Sequence, residues 1–168
     1  LGVVGLGRIG DAIARRAHFG FGMEISYLAR SDKTTDYPAV RAESLIALAG
    51  SVDVLVVAVP GGAGTHHLIN AEVLSAMRSH AHLVNIARGE VVDEAALIAA
   101  LQTGQIAGAG LDVYEFEPHV PQALRALENV TLLPHLGTAT EEVRSAMGHM
   151  ALDNVAAALR GEAVPNPV

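Results

Sequence analysis

Apolar residues in this chain fall into short unbroken runs separated by amphipathic or polar stretches. The runs Val3-Val4, Glu24 to Leu28, Val52 to Val59, His82 to Ala87, Ala107 to Val113 and Val130 to Leu133 have strand length. Runs without polar alternation predict strands buried on both faces of a parallel sheet. Between them lie helical patterns. Asp11 to Ala17 has helical composition with stops near Gly20 and Gly22, and Glu43 to Ala49 suits a short helix. Asn70 stands as N-cap for Ala71 to Met77, and Asp93 begins Glu94 to Gln102, with Gly104 where a C-terminal stop is expected. Ser31 to Pro38 is a polar loop, Pro60-Gly61-Gly62 and Arg88-Gly89 break strands, and Pro118 and Pro121 mark a turn-like stretch. From Thr140 to Leu159, Val143, Met147, Met150, Val155 and Leu159 recur near helical spacing, in a helix long enough to be a connector. Strands alternating with helices predict an α/β fold, a doubly wound parallel sheet with its ligand at the carboxyl ends of the strands. The expected division is a core over 1–139 and a connector helix with a C-terminal return over 140–168.

The first strand runs directly into Gly5-Leu6-Gly7-Arg8-Ile9-Gly10, which has the spacing G-x-G-x-x-G. With a strand before it and a helix after it, this is a Rossmann-like dinucleotide loop. Gly5 permits the tight turn, Gly7 lets backbone approach a pyrophosphate, and Gly10 lets helix pack on strand. The free N–H groups and positive dipole end of the helix then hold the phosphates. At the end of the second strand, about 20 residues on, a carboxylate is the usual partner of the ribose hydroxyls. Here Arg30 and Ser31 stand there instead. A guanidinium and a hydroxyl suit a 2′-phosphate that an acid would repel, so NADP is expected over NAD. Asp32 comes into play if the strand ends one or two residues later.

Composition narrows the class. The 168 residues suit one domain, or one and a fragment of another. Half the chain is hydrophobic (51%) and few residues are charged (17%), which argues against disorder. The absence of Cys excludes disulfides, a thiolate nucleophile and cysteine-bound zinc. A net charge of −7 works against nucleic-acid or anionic-membrane binding. No apolar run is long enough to span a bilayer as a helix, so a cytoplasmic protein is expected. Leu1 already falls inside the first strand, which suggests a piece of something longer. The histidines His18, His66, His67, His80, His82, His119 and His149 offer no convincing ligand set, since neighbours such as His66 and His67 are expected to point differently. No metal is expected.

Three segments end strands and should converge on one rim: Asn85 to Gly89, Asp112 to Pro118, and Pro134 to Thr140. Taken in order with the glycine loop, they resemble the D-isomer-specific 2-hydroxyacid dehydrogenase family over nearly the whole chain. Val59-Pro60-Gly61-Gly62 and Arg30-Ser31 look most like its NADPH-dependent glyoxylate/hydroxypyruvate reductase branch. The resemblance implies that Arg88 binds the substrate's carboxylate and carbonyl, that His135 is the general acid/base and that Glu117 hydrogen-bonds the histidine. The residue types suit these roles. Arginine's fork matches a planar 2-keto acid, a cation stabilises the alkoxide formed by hydride arrival, and histidine titrates near working pH. Glu115 competes with Glu117 for the partner role, and only the Glu-Pro match to the family selects Glu117. By the same match Arg8 and Ile9 face the pyrophosphate, Val59, Pro60 and Thr65 line the cofactor cleft, and Ile86, Asp112 and Gly137 border the nicotinamide. Asp112 has a plainer reading as a strand-end turn former.

The resulting expectation is an oxidoreductase passing a hydride between NADP(H) and a small 2-keto or D-2-hydroxy acid. Formate dehydrogenase lacks the Glu–His pair, and a phosphoglycerate-type enzyme would carry an acid in place of Arg30. The alternative from another class is a dinucleotide-binding module or corepressor-like sensor without turnover. In the family the substrate domain is built mostly from residues before the cofactor domain, so that N-terminal domain is expected to be absent here, leaving a piece that binds cofactor and catalyses little. The segment after Thr140 is expected to return toward it, and the family commonly forms homodimers.

Overall fold

A computed structural model describes residues 1–167 and divides the chain into two compact units, Leu1–Pro134 and a second beginning at His135. The first unit contains β1 (Gly2–Val4), α1 (Arg8–Phe21), β2 (Ile25–Leu28), β3 (Ala39–Arg41), α2 (Leu45–Ser51), β4 (Val54–Val57), α3 (Ala71–Ala76), β5 (His82–Asn85), α4 (Glu94–Gln102), β6 (Gly108–Leu111), α5 (Gln122–Arg125) and β7 (Val130–Leu132). The strands form one sheet in the order β3-β2-β1-β4-β5-β6-β7, and every neighbouring pair is parallel. Val4 at the end of β1 pairs with Leu28 on one side and Val57 on the other. The chain is laid outward from β1 through β2 to β3, then returns to place β4 beside β1. Loops leaving β1 and β4 therefore diverge, opening a crevice at this switch point.

Successive strand side chains face opposite sides of a sheet. Val3 joins a core with Leu6, Ala14, Ile25, Tyr27 and Tyr37, whereas Val4 joins the larger core around Leu48, Leu55, Leu74, Leu83 and Leu97. Both valines are buried, as a strand covered by helices on both faces requires.

The helix starts follow local chemistry. The side chains of Ser44, Asn70 and Asp93 each accept a hydrogen bond from the N–H three residues on, at 3.1, 3.1 and 3.0 Å. Helix α4 has the bounds expected of it, and Gly104 follows in the left-handed region at φ 68°. Helix α1 begins at Arg8 and not at Asp11, because Gly7 serves as N-cap and its carbonyl already accepts from Asp11 N–H at 2.8 Å. Two elements lack a sequence signal. Strand β3 has three residues with Val40 exposed, and α5 is a single turn after Pro121 that buries Leu124. Their partners in space, β2 and β7, supply what periodicity could not.

In the second unit, α6 (Glu141–Leu159) is capped by Thr140, whose Oγ1 accepts from Val143 N–H at 3.3 Å. Val143, Met147, Met150, Val155 and Leu159 are exposed along it. No helix among the described residues is long and apolar enough to cross a membrane.

Candidate functional site

A cleft of about 1080 Å³ lies at the carboxyl ends of β1, β2 and β4. Of the residues expected to hold cofactor, Gly5, Gly7, Arg8, Ile9, Arg30, Ser31, Val59, Pro60, Thr65 and Ile86 line it, and so does Arg88. Its floor is the glycine turn. Gly5 sits at φ 96°, which L side chains rarely adopt, and a Cβ there would meet the Ala58 carbonyl oxygen at 2.8 Å. Gly10 is buried beneath the turn and not on the wall, and a Cβ on it would lie 2.2 Å from the Gly5 carbonyl oxygen. Over Gly7, by contrast, there is open space within 4 Å. Gly7 brings no side-chain cap, so the first-turn N–H groups of α1 are left to whatever enters the cleft.

Beyond β2, the wall carries Arg30, Ser31 and also Lys33, which the sequence reading passed over although it stands two residues after Ser31 in the same polar loop. Asp32 is absent from that wall. Its carboxylate pairs with Arg41 on β3 at 3.0 Å and is 87% exposed.

Arg88 follows β5 and is placed by a residue that sequence reasoning missed. Asn85 is buried at the end of the strand. Its Nδ2 donates to the Arg88 carbonyl at 3.0 Å while its Oδ1 accepts from Ala87 N–H at 3.0 Å, so one amide shapes the turn on which the arginine stands. The signal was an amide residue where a buried strand should end. Arg88 Nη1 donates to the Ala87 carbonyl at 2.6 Å.

The segment after β6 carries Asp112, Glu115 and Glu117. Asp112 is buried off the cleft wall and its N–H donates to the Asn85 carbonyl at 3.1 Å, a strand-end position two strands away from β4. Glu117 is exposed, and its Oε1 accepts from Tyr114 N–H at 3.0 Å. Glu115 is taken by another partner, His67, whose Nε2 lies 2.8 Å from its Oε1. Tyr114 donates its hydroxyl to the Leu133 carbonyl at 2.8 Å, and burial pushes that hydroxyl's pKa upward.

The expectation that His66 and His67 point differently is corrected. Their rings stack at 4.0 Å between centroids with 25° between planes, because His67 adopts φ 48° and turns its side chain back onto its neighbour. Together with Glu115 they gather ligand-type atoms within 4.8 Å of one another. His135 and Gly137 belong to the second unit, in which Ala139 N–H donates to the Leu136 carbonyl at 2.9 Å. His135 has a left-handed backbone at φ 54°.

A seven-stranded parallel sheet with a glycine turn under a cleft at its switch point defines a Rossmann-type dinucleotide-binding domain. Residues 1–137 match the D-isomer specific 2-hydroxyacid dehydrogenase, NAD binding domain. The chain belongs to that family. It is 48% identical over 171 residues to glyoxylate/hydroxypyruvate reductase B of Erwinia tasmaniensis and 46% identical over 169 residues to hydroxyphenylpyruvate reductase of Plectranthus scutellarioides. Each alignment covers 100% of this chain and 53% of the relative, so the chain spans about half the length of the curated relatives it matches. Among solved structures, an NADPH-dependent glyoxylate/hydroxypyruvate reductase from Sinorhizobium meliloti, in complex with NADP and malonate, superposes with a TM-score of 0.95 at 47% identity. That match covers 99% of this chain and 52% of the other.

Proposed function

We propose that the protein to which this domain belongs reduces a small 2-keto acid to its D-2-hydroxy acid with NADPH seated in the cleft. The observation that carries the reading is the composition of the cleft wall, with Arg30, Ser31 and Lys33 at one end, the glycine turn in the middle and Arg88 at the other. The two cations and hydroxyl beyond β2 take a 2′-phosphate, and no carboxylate among the described residues lines the cleft to oppose it. The open space over Gly7 and the first N–H groups of α1, flanked by Arg8 and Ile9, fit a pyrophosphate. Val59, Pro60, Thr65 and Ile86 then pack along the rest of the cofactor. Asp112 and Gly137 are assigned to the nicotinamide end by their place in the family motifs.

NADPH supplies the hydride when bound. Arg88 holds the substrate's carboxylate and carbonyl and offsets the charge developing on oxygen. His135 supplies the proton to that oxygen, and Glu117 orients the histidine, roles that rest on the family motif. Keto acids as different in bulk as glyoxylate and hydroxyphenylpyruvate are named among relatives of similar identity, so the claim is made for the class.

The test is steady-state oxidation of NADPH and NADH by the full-length protein across a panel of 2-keto acids. Turnover with glyoxylate or hydroxypyruvate and preference for NADPH is expected. Tight NADPH binding with no turnover on any 2-keto acid would establish a cofactor-sensing module instead.

A further inference from the structure

The loop from Ala58 to Leu68 forms one wall of the cleft, and it is stiff within itself. Thr65 Oγ1 donates to the Pro60 carbonyl at 2.7 Å, and Thr65 N–H donates to the Gly62 carbonyl at 2.9 Å. Its first residue is tied to β1, where Ala58 N–H donates to the Val4 carbonyl at 2.8 Å, and further along bonds from two other places hold it down. One is Glu90, whose Oε1 accepts from Gly62 N–H at 2.6 Å and whose carbonyl accepts from His67 N–H at 2.8 Å. The other is the contact of His67 Nε2 with Glu115 Oε1 at 2.8 Å, across 48 residues of sequence. A histidine at φ 48° is uncommon, and it persists here because its N–H and its ring are both claimed by other segments.

Glu115 is equally committed. Its Oε2 accepts from Glu94 N–H, and its own N–H donates to Glu94 Oε2, both at 3.4 Å, which seats it on the first turn of α4. Two residues further on the same segment stands Glu117. The His67–Glu115 contact is thus a strut between the cofactor wall and the segment bearing Glu117, anchored at its base to the sheet's helical layer.

Building on the proposed cofactor site, we infer that His67 and Glu115 are positioning residues that hold the Pro60–Thr65 wall against the bound dinucleotide. Neither reaches the reacting atoms. They act by keeping in place a wall that would otherwise have to be ordered when cofactor binds, and a site ordered in advance binds more tightly. A metal shared by His66, His67 and Glu115 fits less well. Tetrahedral ligands about 2.0–2.2 Å from a zinc ion stand about 3.4 Å apart, whereas the 2.8 Å contact is a direct hydrogen bond.

The experiment is a double-mutant cycle in the full-length protein with His67→Ala, Glu115→Ala and the pair together. NADPH dissociation constants are read from the change in nicotinamide fluorescence on titration, and kcat and KM are read separately where turnover exists. Each single substitution is expected to weaken NADPH binding about tenfold, with the double no worse than the poorer single and kcat within about threefold of wild type. His67→Gln, which keeps a side-chain N–H donor, should recover most of the affinity, and melting temperatures identify any variant that merely unfolds. Unchanged affinity in both folded singles overturns the inference, and so do additive losses in the double or a fall confined to kcat. Tightening of NADPH binding by added zinc that His66→Ala removes would replace the hydrogen bond with a metal bridge and also overturn it. Because the titration needs no turnover, loss of the reductase reading leaves this result readable.

Discussion

Gly89 lies so close to the backbone of Tyr114 that a Cβ on it would stand 1.8 Å from the Tyr114 carbonyl carbon and 1.9 Å from its oxygen. The turn carrying Arg88 and the segment carrying Glu117 are therefore in backbone contact, and only a residue without a side chain permits it. A Gly89→Ala substitution must push these segments apart. Its cost should exceed the usual overpacking penalty of about 1–3 kcal/mol, because the obstacle is backbone and cannot rotate away. A thermal melt would show it as a large drop in midpoint, with any folded fraction losing turnover more than NADPH affinity.

Asn85 is the neighbouring support. In Asn85→Ala the Ala87 N–H and the Arg88 carbonyl both lose their partner in a buried turn, which should cost about 1–3 kcal/mol for each group left unpaired. Since the turn presents Arg88, the KM for the keto acid should rise as well. Asn85→Asp, which when ionised buries a charge and cannot donate to the Arg88 carbonyl, should be at least as destabilising as alanine in a denaturant titration.

Arg30→Ala should raise the dissociation constant for NADPH by roughly 10- to 100-fold, the worth of a charge-assisted pair, while leaving NADH nearly unchanged. Lys33→Ala should act in the same direction and more weakly, as a point charge without arginine's fork. Comparing both cofactors by fluorescence titration separates the 2′-phosphate effect from general damage. Equal losses for the two cofactors would remove Arg30 from this role.

Replacing His135 by Gln in the full-length protein should lower kcat by about 10²–10⁴-fold while NADPH binding persists. Arg88→Ala should lower kcat/KM for the keto acid by a comparable factor, because it loses both the carboxylate pairing and the stabilisation of charge on oxygen. Single-turnover measurements with NADPH bound in advance would isolate the chemical step.

Glu94 gives the domain a pH dependence of definite sign. Burial holds its carboxyl above the ordinary range. The Glu115 N–H pulls it back, the Glu115 charge raises it again, and His119 lowers it. A carboxyl raised on folding binds its proton more tightly in the native state, so its contribution to stability is present at low pH and is lost as pH climbs through the native value. Glu94→Gln should flatten this decline between the carboxylate range and neutrality and raise the midpoint of unfolding near pH 7. A pH series of urea titrations on both forms checks it.

Much of this was written in local chemistry. Asn70, Asp93 and Thr140 announce three helix starts, Gly104 a helix end, and the runs around Val56 and Leu83 two central strands, because caps and buried strands depend on residues near in sequence. The glycine turn and the place of Arg30 and Ser31 on the cleft wall were legible for the same reason, since both follow from spacing within a strand–turn–helix unit. Three-residue β3 and one-turn α5 were not legible, since neither has a period long enough to detect and each exists by pairing with a distant element.

The same distinction separates the site residues. From sequence alone Glu115 and Glu117 were rivals, two carboxylates one residue apart with nothing local to rank them. Tertiary structure assigns Glu115 to His67, 48 residues away, and fastens it to α4. It likewise pairs Asp32 with Arg41 away from the cleft wall, and it brings His66 and His67 ring to ring through one left-handed residue. The alternation of the longer strands and helices, the glycine turn and the residue types at the strand ends could be read from the chain, because all are set by interactions between near neighbours. Which of those side chains are spent on holding loops together, and which remain on the cleft wall, depends on which distant segments the parallel sheet sets side by side, and that emerges only in the folded molecule.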